Sequence, residues 1–369
     1  MRSALLLRRH VACAHRRAYA ARTVPLQPFR AKPKPVLKPE PIDKDFPVGE
    51  VTLTDESPAK PPSSFAPWVF GVLAAGLGFY SFQIGLAVSQ PCSNPHVAEL
   101  AQQKDVAARY DYTADSFDSE VGLSELLMGI NSTRKLLAQK CRGEVLEVSC
   151  GTGRNLGYYD INGEKAKVDS LSFIDLSPQM VDVCRQKWNT LYGSQETKRD
   201  KLKPGLNLRF MTGSALSDMP LAPSGKKYDT IFQTMGLCST AEPAELLENL
   251  VKHLDTSKQE SRILLLEHGR SYMPWVNRIL DNSAEKHAER HGCWFNRDIG
   301  DLVQQAAQKS GMEVVSERRH HFGTTWVFEL KPTDELVRRA AAVPTILAAT
   351  RESAHEPKGS GWLSKLGWT

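Results

Sequence analysis

The chain has 369 residues, of which 41% are hydrophobic and 24% are charged, and this is the composition of an ordinary globular protein. Collagen-like, wholly disordered and polytopic membrane chains are excluded, and the length suits one enzyme-sized domain with extensions. The formal net charge of +5 is unevenly distributed, because residues 1–39 hold ten basic and no acidic residues, whereas residues 97–330 carry −3. This central part lacks the basic surface that nucleic-acid binding requires, so no nucleic-acid partner is expected.

The first 22 residues are typical of a mitochondrial presequence. Arginines are interspersed with Ala and Leu, and the longest apolar run, Ala4 to Leu7, is too short for a secretory signal. The sequence Arg17-Ala18-Tyr19 is typical of a cleavage site for the matrix protease. The alternative interpretation is a disordered basic arm.

Residues 23–67 are rich in proline and poor in large apolar side chains, which predicts an extended linker that does not fold alone. Residues 68–88 are predicted to form a single transmembrane helix, because 21 predominantly apolar residues are enough to cross a hydrocarbon core of about 30 Å. A buried core helix is the alternative, but such helices rarely reach this length without a charge.

The predicted transmembrane helix carries three small residues near a helical repeat: Gly71, Ala75 and Gly78. They indicate a surface that could contact an inner-membrane protein partner.

The seven cysteines are scattered without a CxxC pair, so the sequence specifies neither a zinc site nor a disulfide framework. No metal is expected.

An α/β domain is predicted over residues 97–330. Its first part shows apolar residues at helical spacing, namely Leu126, Leu127, Ile130, Leu136 and Leu137. Seven strands are predicted at Glu144–Ser149, Leu171–Asp175, Leu206–Met211, Thr230–Gln233, Arg262–Glu267, Glu313–Glu317 and Thr324–Leu330. Helical stretches between most of them imply a parallel sheet with helices on both faces. The last two strands are separated by too few residues for a crossover helix, so they must form an antiparallel hairpin.

The first strand is followed by a glycine turn, Cys150-Gly151-Thr152-Gly153, and residues 154–157 are predicted to open a helix. Glycine allows the backbone to approach a ligand closely at such a turn. Asp175, at the end of the next strand, lies where a carboxylate accepts hydrogen bonds from both ribose hydroxyls. A nucleoside-containing ligand is therefore expected, although the glycine spacing differs from that of a dinucleotide fingerprint.

Three segments resemble successive motifs of class I S-adenosylmethionine-dependent methyltransferases: residues 145–155, 173–180 and 213–220. Leu237-Cys238-Ser239 and residues 264–269 are also similar to animal membrane-bound thiol methyltransferase-like proteins. With the presequence and the single span, the chain most resembles the fungal mitochondrial inner-membrane methyltransferase-like family. The resemblance implies a seven-stranded Rossmann-like methyltransferase sheet that ends in an antiparallel hairpin, with S-adenosyl-L-methionine as cofactor.

The same resemblance implies a cofactor site formed by Glu147, Gly151, Gly153, Asp175, Ser214, Ala215 and Gln233. The first three would contact the methionine part, and Asp175 would bind the ribose. Ser214 and Ala215 would line the adenine, and Gln233 would border the methionine end. Tyr110 and Phe117 would form a lid over the cofactor, or alternatively pack as ordinary helix residues.

Methyl transfer needs an aligned nucleophile, and a general base only if the acceptor carries a proton. His268, at the end of the fifth strand, is the candidate catalytic residue by position, with a structural role as the alternative. His287, His291 and Asp281 occur on a segment expected to cover the acceptor pocket. Cys238 is interpreted as a wall residue of that pocket, because no covalent step is needed.

Residues 331–369 are predicted to form a C-terminal helix and a mobile tail. The helical spacing extends from Asp334 to Thr350 and is interrupted by Pro344, and a few apolar residues near Lys365 suit contact with a membrane surface.

The leading hypothesis is a methyltransferase of the inner mitochondrial membrane, anchored once, with its catalytic domain facing the intermembrane space and an unidentified small, lipid-associated or protein acceptor. For the orientation, the alternative is complete import followed by insertion from within. The alternative is a catalytically silent methyltransferase-like assembly factor. It is motivated by Ser149 where Gly is commoner, by Ser214 where Asp is commoner, and by the unusual residues 255–260 before the fifth strand. A nicotinamide dehydrogenase is disfavoured by the glycine spacing and the terminal hairpin.

Overall fold

The computed structural model describes residues 65–193 and 199–342. The predicted presequence, the linker up to residue 64 and the tail beyond residue 342 lie outside the described residues.

The described helices and strands follow one another in the alternating order that the sequence predicts. The helices are α1 (Phe65–Ser89), α2 (Arg109–Thr113), α3 (Phe117–Leu127), α4 (Ile130–Ala138), α5 (Pro178–Trp188), α6 (Pro243–His253), α7 (Pro274–His291) and α8 (Ile299–Ser310). The strands are β1 (Gly143–Val148), β2 (Val168–Asp175), β3 (Asn207–Thr212), β4 (Thr230–Thr234), β5 (Arg262–His268), β6 (Met312–His320) and β7 (Thr325–Pro332). Residues 334–342 are also helical.

The strands form one seven-stranded sheet in the order β3-β2-β1-β4-β5-β7-β6. The first five strands pair in parallel, and β7 pairs antiparallel with both β5 and β6. The predicted α/β class, the seven strands and the terminal hairpin are therefore confirmed. All five parallel strands end at the same edge, which is where ligands bind in open α/β sheets.

Helix α1 contains no charged residue, is predominantly apolar, and is exposed along most of its length. Its segment Trp68–Ser89 is long and apolar enough to cross a membrane, with a mean hydropathy of 1.6. The last turn of α1 and the residue after the helix are fixed to α7, because Asn282 Nδ2 donates hydrogen bonds to the carbonyl oxygens of Ala87 (3.0 Å) and Gln90 (3.1 Å).

Apolar side chains cover both faces of the sheet. Leu246, Leu250 and Val303 of α6 and α8 pack in one cluster, and Leu137 and Cys184 of α4 and α5 pack in the other. Burial of these side chains is the main source of stability for such a domain.

Only part of the predicted apolar face of α3 and α4 is buried. Ile130 and Leu137 lie in the core, whereas Leu126, Leu127 and Leu136 are 64%, 79% and 62% exposed. Helix α3 turns an ionic residue, Glu125, inward instead, and its leucines therefore face outward.

The predicted helix after the glycine turn is wrong. Residues 154–157 lead only into a short 3-10 helix, Leu156–Tyr158, and no α-helix joins β1 to β2 in this fully described part of the chain. The Asn155 and Tyr159 side chains donate hydrogen bonds to Glu147 and hold the segment against β1. Gly157 and Gly163 also disfavour a helix by their backbone freedom.

Candidate active site

A cavity of about 630 Å³ lies at the carboxyl ends of the parallel strands. The loops after β1, β2, β3 and β4 form its floor, and α3 and α7 contribute its walls. Most of its surface is apolar, and a smaller number of polar side chains line it, some beside the glycine turn and others, including histidines, along α7 and the end of β5. This combination of an apolar cavity and a few convergent polar groups is typical of a small-molecule site.

The turn after β1 has three residues in the left-handed backbone region. Ser149 has a φ of +53°, Gly151 of +52° and Gly153 of +76°. A Cβ atom added to Gly151 would meet no atom within 4 Å, so glycine leaves open space beside the cavity at this position. A Cβ atom on Gly153 would lie 2.7 Å from Cys184 Sγ and from Leu156 Cδ1. Gly151 thus suits close approach of a ligand, and Gly153 is required by packing.

Asp175 ends β2 with its carboxylate beside the turn. Its Oδ2 atom accepts a hydrogen bond from the Gly151 amide at 2.8 Å, and its Oδ1 atom accepts one from the Ser177 amide at 3.0 Å. Burial raises the pKa of Asp175, although these backbone hydrogen bonds oppose the rise. Each oxygen keeps a lone pair that can accept a hydrogen bond from a vicinal diol such as a ribose.

Ser214 and Ala215 follow β3 and also line the cavity. The Ser214 Oγ atom accepts a hydrogen bond from the Leu216 amide at 3.2 Å. The Ser214 amide donates to Asp218 Oδ2 at 3.1 Å, and this bond fixes the turn. The loop therefore presents a small polar group and a methyl group to the cavity beside Asp175.

Three predicted cofactor-binding residues lie behind the cavity wall rather than in it: Glu147, Gly153 and Gln233. Glu147 is fully buried and accepts hydrogen bonds from Tyr159 and from Asn155 (2.8 Å). Burial raises the pKa of Glu147 to about 7, although these two donors oppose the rise.

Gln233 is also fully buried, and its Nε2 atom donates to Ser149 Oγ at 3.2 Å. Its Oε1 atom is one of the few buried side-chain atoms among the described residues without a hydrogen-bond partner. Glu147, Gly153 and Gln233 thus support the turn from behind, and their predicted contacts with the cofactor stay predictions.

A buried ionic network closes the cavity on the side of α3. Glu125 binds Arg134 (2.9 Å) and Arg154 (2.8 Å), and Asp118 binds Arg154 (3.2 Å) and Thr152. Arg134 also donates to Thr234 at the end of β4. The network therefore ties α3 to the glycine turn.

Sequence reasoning missed this network. The only signal was that Glu125 and Arg134, both ionic, occur among the apolar residues of two helices.

The two predicted lid residues both line the cavity and contact each other edge to face. The Tyr110 hydroxyl donates to the Gly292 carbonyl oxygen at 3.0 Å and lies 2.8 Å from Ser239 Oγ. Phe117 is the first residue of α3. The segment that carries Tyr110 is therefore joined to the loops after β4 and α7.

Histidines gather at the other end of the cavity, where α7 forms the wall. His268, His287 and His291 line this part. Burial lowers the pKa of His268 to about 4 and that of His287 to about 4. Both rings are therefore neutral at neutral pH, and the unprotonated nitrogen of a neutral imidazole can accept a hydrogen bond or bind a metal.

Two further predicted acceptor-side residues differ in position. Asp281 lies outside the cavity lining and binds Arg270 at 2.8 Å. Cys238 is buried and forms part of the wall, as expected, and a second thiol, that of Cys293, lies beside it in the wall.

The comparisons with known proteins agree with this architecture. A family model described as a methyltransferase domain matches residues 126–317. The chain is 34% identical over 255 residues to the mitochondrial methyltransferase OMS1 of Saccharomyces cerevisiae. That alignment covers 64% of this chain, and the chain spans about half (50%) of the length of this relative.

Two solved structures are similar to part of this chain. A putative methyltransferase in complex with the Haloferax volcanii Trm112 activator has a TM-score of 0.43 and 13% identity, over 63% of this chain and 100% of its own. Magnesium protoporphyrin IX methyltransferase from Synechocystis, with bound S-adenosylhomocysteine, has a TM-score of 0.36 and 13% identity, over 69% of this chain and 95% of its own.

The family match covers the glycine turn, Asp175 and the loops after β3, β4 and β5, which together surround the cavity. This chain belongs to the methyltransferase domain family, a family that uses S-adenosylmethionine as cofactor.

Proposed function

We propose that the chain transfers a methyl group from S-adenosylmethionine to an acceptor bound in the apolar part of the cavity. One observation carries the proposal: the turn at Gly151 and the end of β2 at Asp175 open into the same cavity as the wall formed by α7. A nucleoside end and an acceptor end are therefore adjacent. The acceptor class is unidentified and includes small, lipid-associated and protein acceptors.

When bound, the cofactor supplies an electrophilic methyl group on a positively charged sulfur. The chain's residues bind and orient the reactants, which is the larger part of catalysis in such a transfer. Asp175 would hold the ribose, and the Ser214–Ala215 loop would border the adenine. Tyr110 and Phe117 would cover the cofactor and exclude water.

His268 is proposed as a catalytic residue at the acceptor end. Its ring borders the cavity and is neutral at neutral pH, and because a pKa of about 4 makes it a weak base, its role would be to orient a protic acceptor by accepting a hydrogen bond from it. His287 and His291 border the same cavity and lie on α7.

We place the protein in the inner mitochondrial membrane, held by α1 as a single span, with the catalytic domain in the intermembrane space. Support comes from the arginine-rich start of the sequence, the exposed apolar helix, and similarity to a relative named as mitochondrial. A presequence leads the N-terminus toward the matrix, and an apolar span close behind it can arrest in the inner membrane.

Protease added to mitochondria with ruptured outer membranes should digest the domain. Survival of the domain until the inner membrane is dissolved would contradict this orientation.

A catalytically silent assembly factor is the second candidate. It is favoured by Ser149, which has a φ of +53° and stands in the turn that would face the cofactor, at a position where Gly is commoner in the family. Gly71, Ala75 and Gly78 would then seat a membrane partner helix.

Calorimetric titration of the full chain with S-adenosylhomocysteine and with NAD tests the cofactor assignment. We expect heat only with S-adenosylhomocysteine, and its absence in folded protein would overturn the proposal. Incubation with a donor carrying a labelled methyl group and with lipid, small-molecule and protein extracts then tests transfer. Binding without transfer to any of these would favour the assembly factor.

A further inference from the structure

Two thiols and an imidazole meet in the wall of the cavity. The donor atoms of Cys238, His268 and Cys293 all lie within 4.8 Å of one another, and Cys293 Sγ is 3.8 Å from His268 Nδ1. Both cysteines are free and buried. We propose that these three residues bind a single Zn²⁺ ion.

The distances suit tetrahedral zinc. With Zn–S bonds of about 2.3 Å and Zn–N bonds of about 2.1 Å, two ligand atoms of one ion are separated by about 3.6–3.8 Å. The measured separation of Cys293 Sγ and His268 Nδ1 falls in this range. No separation in the cluster exceeds this range by more than about 1 Å, which a small rotation of the side chains can close.

The backbones that carry the three ligands are already fixed to one another. The Trp294 amide, next to Cys293, donates a hydrogen bond to the Cys238 carbonyl oxygen at 2.8 Å. Glu267, next to His268, accepts hydrogen bonds from the amides of Gly236 (3.1 Å) and Leu237 (3.0 Å), just before Cys238. Metal sites depend on such support around their ligands.

The three donor atoms also favour one kind of metal ion and leave one of its coordination positions open. Two thiolates and one imidazole favour Zn²⁺ over Mg²⁺ or Ca²⁺, which prefer oxygen ligands. Three protein ligands leave a fourth position open, and all three residues line the cavity. That position would take water or a donor atom of the acceptor and lower its pKa. This use in catalysis rests on the proposed function, whereas the binding of the ion does not, and with the ion bound His268 acts as a ligand rather than as a free base.

Metal analysis of the full chain, purified under reducing conditions, tests the proposal. We expect about one zinc per chain. After removal of zinc with a chelator, Co²⁺ should bind and produce thiolate-to-metal charge-transfer absorbance. Cys238→Ser and Cys293→Ser should each weaken Zn²⁺ binding by about 100-fold or more, because loss of a ligand exceeds the 10–100-fold effect of losing a supporting residue.

Cys141→Ala is the matched control, because this thiol is equally buried but lies in the core cluster between α4 and the sheet. It should keep the zinc content of the wild type. Each variant is also titrated with S-adenosylhomocysteine, so that a misfolded variant is recognised and so that failure of the cofactor assignment is seen separately from failure of the metal site.

Wild-type protein that binds S-adenosylhomocysteine but neither contains nor takes up zinc would overturn the inference. A disulfide between Cys238 and Cys293 that persists under reducing conditions would overturn it as well. So would unchanged zinc affinity in both serine variants.

Discussion

The amide of Gly151 donates a hydrogen bond to Asp175 Oδ2 across 2.8 Å, and this bond joins the turn after β1 to the end of β2. The carboxylate is thereby aimed along the edge of the sheet and into the cavity. Asp175 therefore both supports the glycine turn and offers hydrogen-bond acceptor atoms to a ligand.

Asp175→Ala should weaken binding of S-adenosylhomocysteine by about 1–3 kcal/mol, because a charged acceptor of two ribose hydrogen bonds is lost. Calorimetric titration measures the change. The control is Asp169→Ala, on the same strand but exposed and paired with Lys203, which should bind as the wild type does. Equal affinity in the two variants would remove Asp175 from the proposed cofactor site.

Gly153→Ala should lower the free energy of unfolding by about 1–3 kcal/mol, because the new Cβ atom collides with Cys184 and Leu156 and the φ of +76° disfavours a side chain. Gly157→Ala is the control, since its Cβ atom would meet nothing within 4 Å. Its effect should stay within about 0.5 kcal/mol. Denaturant unfolding followed by circular dichroism measures both, and similar losses would show that packing at Gly153 is not the cause.

Glu125→Gln should destabilise the protein by about 3 kcal/mol, because Arg134 and Arg154 then lose their buried counter-charge. Asp182→Asn, which breaks the exposed pair with Arg185, should cost less than about 1 kcal/mol. Thermal and denaturant unfolding distinguish the two. If Glu125→Gln proves as mild as the surface variant, the ionic network does not hold α3 against the cavity.

The pH dependence of stability should report the buried carboxyl of Glu147. Its pKa rises from 4.5 to about 7 on folding, chiefly by burial, so the folded state binds the proton more tightly than the unfolded state. The contribution of Glu147 to the free energy of unfolding is fully present below about pH 4.5 and is lost as the pH rises through about 7. Each unit of the shift corresponds to about 1.4 kcal/mol.

Glu147→Gln lacks this titration while keeping the shape of the side chain. The free energy of unfolding of the wild type, taken relative to this variant, should therefore fall between about pH 5 and about pH 8. Denaturant unfolding at several pH values measures the difference. A constant difference across this range would mean that Glu147 does not titrate with the raised pKa.

The sheet and the cofactor side of the site were predictable because they depend on sequence patterns within single strands and the turns that follow them. Apolar runs located the strands, the short connection at residues 318–323 required a hairpin, and parallel strands had to bring the glycine turn and Asp175 to one edge. The failed helix after the turn shows the limit of such reasoning. There the polar contacts of Asn155 and Tyr159 with Glu147 override any tendency to continue a helix.

The acceptor side was not predictable in the same way. Cys238, His268 and Cys293 come from three separate segments, and their spacing of about 25–30 residues matches no metal-binding motif. Only the adjacency of β4 and β5, together with the packing of the chain after α7, brings their donor atoms together. Glu125 and Arg134 are likewise nine residues apart and on different helices, so no helical spacing indicates their contact.

The place of β7 in the sheet has a consequence for biosynthesis. This strand is the last of the seven along the chain, yet it lies between β5 and β6, and β6 has no other partner strand in the described sheet. A growing or translocating chain can therefore complete only the five parallel strands until Thr325–Pro332 has emerged. Until then the edge of β5 is open to pairing with other chains, which is a route to aggregation. A chain that stopped after His320 would keep Asp175 and the glycine turn but would keep that open edge permanently.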